Sequence, residues 1–287
     1  MKPPAPYCGR FAPSPTGPLH FGSLIAAVGS FLDARAHGGR WLLRIDDLDP
    51  PREMPGAAAA IMRCLESHGL YWDDEVTLQS RRADAYEAAL GELRDAGLLY
   101  ACDCSRSQLP VDGTYFGHCR RRQLPDGPQR ALRIRVPDTE SLHFEDRLCG
   151  SQQRRFREQL GDFVVRRRDH LYAYHLAVVV DDADAGITDV VRGRDLLDTT
   201  AQQIYLQRCL RRPTPRYAHL PLATHANGQK LSKQNHAPPL DVTLAVDNLR
   251  RSLVRLGQPL PPADADDPIT LLGFATAHWD PQRIPAV

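Results

Sequence analysis

Through the first hundred residues, short apolar blocks alternate with longer stretches whose apolar positions recur at helical spacing. YCGRF at 7–11 and WLLRI at 41–45 read as strands, while 21–36, 56–68 and 83–96 read as helices. That order predicts a βαβ opening and a parallel sheet, hence an α/β fold. From 99 to about 160 the periodicity decays into a stretch rich in Cys, Arg, Pro and Gly, with RALRIRV at 130–136 as a strand, and this reads as an insertion. Alternation resumes with LAVVV at 176–180 and ITDVV at 187–191, both read as strands, then a helix at 196–210 and HLPLATH. A final helical part begins near 243 and is broken by the loop LGQPLPPADADDP. The pattern divides the chain into 1–98 and 161–242, two halves of a Rossmann-like nucleotide-binding domain, the inserted 99–160, and a short C-terminal part, 243–287.

Ligands of open parallel sheets bind outside the carboxyl ends of the strands. Four charged residues are expected there: Arg10 at the end of the first strand, Asp46 after WLLRI, Asp181 after LAVVV and Arg192 after ITDVV. A guanidinium pairs a carboxylate through two N–H groups and a carboxylate accepts from an ammonium, so this set suits a zwitterion such as a small amino acid. Each residue alone is also what a solvated loop start carries; the joint placement makes the case.

The stretch RFAPSPTGPLHFGSL, Arg10 to Leu24, adds a phosphate site. Its prolines fix a turn, Gly17 lets backbone approach a ligand, and His20 and Gly22 stand at a helix N-terminus, where unpaired N–H groups attract anions. The second phosphate element is KLSKQ, which follows the turn signal NGQ. Only three of the 36 basic residues are lysines, and two of them, Lys230 and Lys233, flank this one serine. Two ammonium groups on a loop can stabilise charge developing on a transferring phosphate.

Composition changes the picture little. At 287 residues, 42% hydrophobic and 25% charged, with net charge +1, the chain reads as an ordinary globular protein without a uniformly basic coat. No apolar run is long enough for a membrane span and MKPPAPYCGR lacks a signal-peptide core, so a cytoplasmic, membrane-free protein is expected. Of seven cysteines, Cys8, Cys64, Cys149 and Cys209 are scattered as small hydrophobes, whereas Cys102, Cys104 and Cys119 cluster as three thiolates for a structural zinc. Chemistry alone offers His118 as the fourth ligand. Arg120, Arg121, Arg122, Arg130, Arg133 and Arg135, extended by Arg166, Arg167 and Arg168, are expected to face an RNA backbone.

The two phosphate elements together resemble the signature motifs of class I aminoacyl-tRNA synthetases, known as HIGH and KMSKS, and read here HFGS and KLSKQ. RFAPSPTGPLHFGSL, RIDDLDPPRE, YAYHLAVVVDD and VVRGRDLLDTT are similar to the glutamyl branch specifically, over nearly the whole chain to about residue 240. The residues after Gln234 are too few for the large anticodon-binding domain of glutamyl-tRNA synthetases. The resemblance is thus to the short members of the branch, which glutamylate the queuosine base of tRNA(Asp).

The resemblance implies that Arg10, Phe11, Ala12, Pro13, Ser14, Asp46, Tyr174 and Arg192 bind glutamate. It also implies that His20, Gly22 and Lys233 serve ATP, with His20, Lys230 and Lys233 as the catalytic set. Zinc would be held by Cys102, Cys104, Tyr115 and Cys119, so Tyr115 stands against His118 for the fourth position. Magnesium accompanies ATP, and the partners are glutamate and queuosine-bearing tRNA(Asp), on a monomer. Where the family usually has glutamate, this sequence has Asp46, one methylene shorter, which predicts a longer or water-mediated ammonium contact.

Two other readings are open at this stage. One is a truncated glutamyl-tRNA synthetase charging a tRNA 3′ end; the other is a non-catalytic zinc-containing RNA-binding module, which predicts RNA binding without ATP–pyrophosphate exchange. A small-molecule nucleotidyltransferase is disfavoured by the zwitterion-suited crevice.

Overall fold

The first strand, β1 (Cys8–Phe11), is buried along its whole length, because each of its faces meets a different apolar core. A computed structural model, describing residues 5–105, 108–109, 115–221 and 239–286, shows how the chain builds around it. After β1 come α1 (Phe21–Ala36), β2 (Arg40–Ile45), α2 (Ala57–Ser67), β3 (Asp73–Leu78) and α3 (Ala83–Asp95). Strands β4 (Leu99–Cys102), β5 (Ala131–Ile134), β6 (Ser141–Asp146), β7 (Gly150–Arg155) and β8 (Val164–Arg166) follow. The chain then forms α4 (Tyr174–Asp184), β9 (Asp189–Gly193), α5 (Leu197–Cys209), β10 (Arg216–Leu220), α6 (Ala245–Arg255) and α7 (Pro268–Ala277).

Strands β1, β2 and β3 make one parallel sheet in that order. A second has the order β7-β6-β10-β9, with β6, β10 and β9 parallel and β7 closing a hairpin on β6. The two sheets meet edge to edge: the Thr188 N–H donates to the Cys8 carbonyl at 2.9 Å, which sets the start of β9 beside β1. Alternate residues of the same strands enter different cores, as the period of a strand requires. Trp41, Leu43, Val191, Ala218 and Leu220 join α1, α6 and α7 on one face; Val190 and Tyr217 join α3, α4 and α5 on the other. This is an α/β fold wound on both faces of a mostly parallel sheet, so the junction of β1 and β9 is its topological switch point.

A smaller antiparallel sheet, β4-β5-β8, stands apart. Sheet membership crosses position 160: β8 lies beyond it yet belongs to the small sheet, while β6 and β7 lie before it and join the β9–β10 sheet. One expected strand is corrected. The run 176–180 is inside α4, where Leu176 to Asp182 are all buried because the helix packs against both α3 and α5. A short, wholly apolar run carries no period by which helix and strand can be told apart.

Candidate active site at the switch point

The carboxyl ends of β1 and β9 and the N-terminus of α1 enclose a cavity of about 300 Å³. It brings together nine of the residues expected from the sequence: Arg10, Phe11, Ala12, Pro13, Ser14, His20, Gly22, Tyr174 and Arg192. The proline-rich turn delivers them. Gly17, at φ 136°, turns the chain from β1 into the helix. His20 is then the N-cap of α1, its Nδ1 accepting from the Ser23 N–H at 3.3 Å. The first turn of α1 holds no acidic residue, so the positive end of the helix dipole favours an anion there.

Asp46 lies elsewhere. It is buried and belongs to a second cavity of about 720 Å³, which shares Ser14 and Tyr174 with the first. Arg44, two residues back in β2, donates from Nε to Asp46 at 2.7 Å and from Nη1 to Asp182 at 2.5 Å. Arg10 Nε faces both oxygens of Asp182 at 3.4 Å. Burial pushes the Asp46 carboxyl up to about 6, with Arg44 pulling against it. Burial works the same way on Asp182, but there Arg10 and Arg44 prevail and hold the carboxyl below the usual range. The cluster thus assigns its fixed negative charge to Asp182 and leaves Asp46 as the titrating member.

Asp181, expected at a strand end, is instead on α4. It accepts from Arg82 Nε at 2.5 Å, Gln79 at 2.7 Å and the Tyr86 hydroxyl at 2.8 Å, and lines neither of the two cavities. Sequence reasoning missed its neighbour Asp182, the partner of Arg10, for the same reason: a helix placed where a strand was read. Also missed was the setting of Arg192, whose guanidinium is bonded to His219, Gln203 and Thr200.

Lys230 and Lys233 lie outside the described residues. The chain on either side of them is anchored at the site: Pro221 lines the first cavity, and Pro239 forms a β-bridge with His20.

Cys102, Cys104 and Cys119 converge, their Sγ atoms all within 4.8 Å of one another. The Tyr115 hydroxyl lies 3.5 Å from Cys102 Sγ and 3.4 Å from Cys104 Sγ, and accepts from the Cys119 N–H at 2.8 Å. His118, the other candidate, is exposed. Three thiols and a phenol oxygen closing on one point fit a four-coordinate d¹⁰ ion such as zinc. Burial opposes a thiolate at Cys102, but hydrogen bonding to Tyr115 and Arg133 draws its pKa below the ordinary thiol value.

The arginine-rich surface is largely paired. Arg120 is bound to buried Asp162, Arg122 to Asp103 at 2.6 Å, Arg166 to Asp126 at 2.5 Å and Arg167 to Asp169 at 2.6 Å. Arg133 is buried, its guanidinium 4.0 Å from the Tyr115 ring centre. Those five therefore do not make an open basic face; Arg121 and Arg135 are exposed.

Comparison with known proteins agrees with this geometry. The family model of class I tRNA synthetases (E and Q), catalytic domain, matches residues 8–112 and 116–256. A "Glutamyl-Q tRNA(Asp) synthetase" of Neisseria meningitidis serogroup B is 52% identical over 97% of this chain and 97% of its own length. One from Pseudomonas fluorescens is 53% identical over 97% and 94%. Among solved structures, a glutamate tRNA ligase from Elizabethkingia meningosepticum in complex with its amino acid superposes with a TM-score of 0.82 at 26% identity. It is matched over 98% of this chain, which spans 66% of that ligase. A Mycobacterium tuberculosis methionyl-tRNA synthetase, at 16% identity and TM-score 0.56, covering 87% of this chain and 64% of its own, shares the fold. The match over most of the chain and the switch-point site together show that this protein belongs to the class I tRNA synthetases of the E and Q group.

Proposed function

We propose that this protein activates glutamate with ATP and transfers the glutamyl group to the queuosine base at the wobble position of tRNA(Asp). The observation that carries the reading is the pair Arg10 and Arg192 in one cavity beside the N-terminus of α1, whose first turn holds no acidic residue. The relatives at 52 and 53% identity, named for glutamyl-Q tRNA(Asp) synthesis, support the acceptor.

In the first step a glutamate α-carboxylate oxygen attacks the α-phosphorus of ATP and pyrophosphate leaves. Arg10 and Arg192, with the turn Phe11 to Ser14 and Tyr174, hold glutamate; Asp46, reached through the opening beside Ser14, takes the ammonium. His20, Gly22 and the N–H groups of α1 take the phosphates, with Lys230 and Lys233 of the connecting segment neutralising charge as it develops. Magnesium, bound with ATP, would screen the leaving pyrophosphate.

In the second step a queuosine hydroxyl attacks the acyl carbonyl carbon and AMP leaves. The second cavity is the natural entrance for that base, because it joins the first at Ser14 and Tyr174. Zinc on Cys102, Cys104, Tyr115 and Cys119 would order the subdomain forming its far wall, where Cys104 and Arg133 stand. The enzyme acts in the cytoplasm as a single chain. Among the described residues no helix is long and apolar enough to cross a membrane.

The test offers labelled glutamate and ATP with queuosine-containing and queuosine-lacking tRNA(Asp). Label on the queuosine-containing tRNA alone is expected. Equal labelling of both would mean charging of the 3′ end, and absence of glutamate-dependent ATP–pyrophosphate exchange would overturn the reading altogether.

A further inference from the structure

Arg192 reaches the cavity with most of its donors already committed. Its Nε donates to His219 Nε2 at 3.0 Å, Nη1 to Gln203 Oε1 at 2.9 Å, and Nη2 to Thr200 Oγ1 at 2.8 Å and the Leu196 carbonyl at 3.4 Å. A guanidinium carries five N–H groups and accepts nothing, so four are held by the protein. The bond to His219 fixes more than the arginine. Arg192 can only donate, so with this bond made His219 Nε2 is the bare nitrogen and Nδ1 carries the proton; the Thr200 hydroxyl, 3.1 Å from the same Nε2, gives its own proton to the Leu196 carbonyl.

Nδ1 points at Asp146 Oδ2, 2.5 Å away. The other oxygen of Asp146 accepts three backbone N–H groups, those of Leu148, Cys149 and His219, at 3.1, 2.9 and 3.2 Å. Both side chains are without solvent exposure. The register explains the alignment. His219 is the cross-strand partner of Arg192 on β10 and β9, and Asp146 ends β6 on the far side of β10. The chain of donors therefore runs across three neighbouring strands at their carboxyl ends. Burial holds the imidazole below its ordinary pKa against the pull of Asp146, in keeping with a neutral ring.

We propose that Asp146 and His219 are positioning residues for Arg192: the carboxylate fixes the imidazole tautomer, and the tautomer fixes the guanidinium against which the substrate carboxylate binds. This rests on the reading of the cavity as the glutamate site. Asp146→Asn tests it without changing shape. Three backbone donors require the amide oxygen on their side, so the amide NH₂ faces His219 Nδ1. The ring must then carry its proton on Nε2, where the Thr200 hydroxyl can accept it but the Nε–H of Arg192 cannot, and the bond to Arg192 is lost.

The expected result for Asp146→Asn is a KM for glutamate raised about 10- to 100-fold in ATP–pyrophosphate exchange, the loss of one charged hydrogen bond. The KM for ATP should hold. Nitrogen NMR of the labelled imidazole should show the proton moved from Nδ1 to Nε2. His219→Gln, which retains an acceptor for Arg192, should lose less than His219→Phe. An unchanged glutamate KM in a folded Asp146→Asn protein, or equal rises for glutamate and ATP, would overturn the relay. So would an Nε2-protonated His219 in the wild type, which the NMR arm reads even if the wild type shows no exchange. That last case, wild-type protein without exchange, is the failure of the proposed function, and it is read separately from the tautomer.

Discussion

Burial, only partly offset by Arg44, pushes the Asp46 carboxyl up to about 6, from an ordinary value near 3.8, and this has two consequences of opposite sign. Between those values the folded protein holds a proton that the unfolded chain has released. The contribution of Asp46 to stability therefore falls as pH rises from about 3.8 to 6. Ammonium binding needs the ionised form, so it weakens as pH falls through about 6. Glutamate itself does not titrate between pH 5 and 8. The KM for glutamate in pyrophosphate exchange should accordingly climb below pH 6, while Asp46→Asn should raise it about tenfold, the loss of one charged contact, and flatten the profile. A wild-type KM that is level from pH 5 to 8 would remove Asp46 from the ammonium site. At this scale much was legible. Arg44 near the end of β2 and Asp46 just after it stand two apart in extended chain, so their shared side follows from spacing. Their third partner, Asp182, was hidden because contact across 138 positions depends on knowing that its segment is helical.

Among the elements, α1 does most to shape the site, and its bounds were readable from the sequence because a proline turn, a capping histidine and a helical apolar stripe agree. What the pattern does not tell is how closely the helix lies on the sheet. At Gly29 the approach is so close that an added Cβ would fall 2.6 Å from Leu220 Cδ1, at the end of β10. Leu220 is buried and lines the first cavity, so it has little room to turn away. Gly29→Val should lower stability by about 1–3 kcal/mol through overpacking, read as a lower Tm, and should weaken glutamate binding with it. Gly29→Ala should be milder, since one methyl meets only the end of the leucine. A Gly29→Val protein as stable as wild type would mean that the helix and sheet do not press together here. Of the elements misread or missed, two show the reasons plainly. Helix α4 is buried on all sides, which erases its period, and β3 is an edge strand with the polar sequence DDEVTL, whose burial is only partial.

Across the whole molecule, the two cavities divide the proposed chemistry at all but one point, Asp46, which lines the second and takes the ammonium in the first step. The first is lined by β1, α1, α4, β9 and β10 and the segments that join them, and by no residue of the cysteine cluster. The second takes Cys104, Ser105, Leu109 and Arg133 from around the small sheet. The sequence pattern marked 99–160 as one insertion, but its strands divide between the small sheet and the β9–β10 sheet. The paired arginines were not foretold, because whether an arginine is free depends on aspartates distant in sequence, such as Asp162 for Arg120 and Asp49 for Arg167. The division makes a prediction about metal. Cys119→Ser, at a buried thiol 3.5 Å from Cys104 Sγ, should abolish zinc binding, seen as loss of the metal from the purified protein by elemental analysis. Without the ion the far wall of the second cavity loses its order, and transfer of glutamate to tRNA should fall by about 10- to 100-fold. Adenylate formation should be far less affected, because its described groups come from β1, α1, α4, β9 and the residue after β2, and none from the small sheet. Equal loss of both activities in a folded Cys119→Ser protein would show that the metal supports the whole molecule and not the acceptor side alone. A wild-type protein free of zinc would instead leave the cluster as three reduced thiols around a tyrosine.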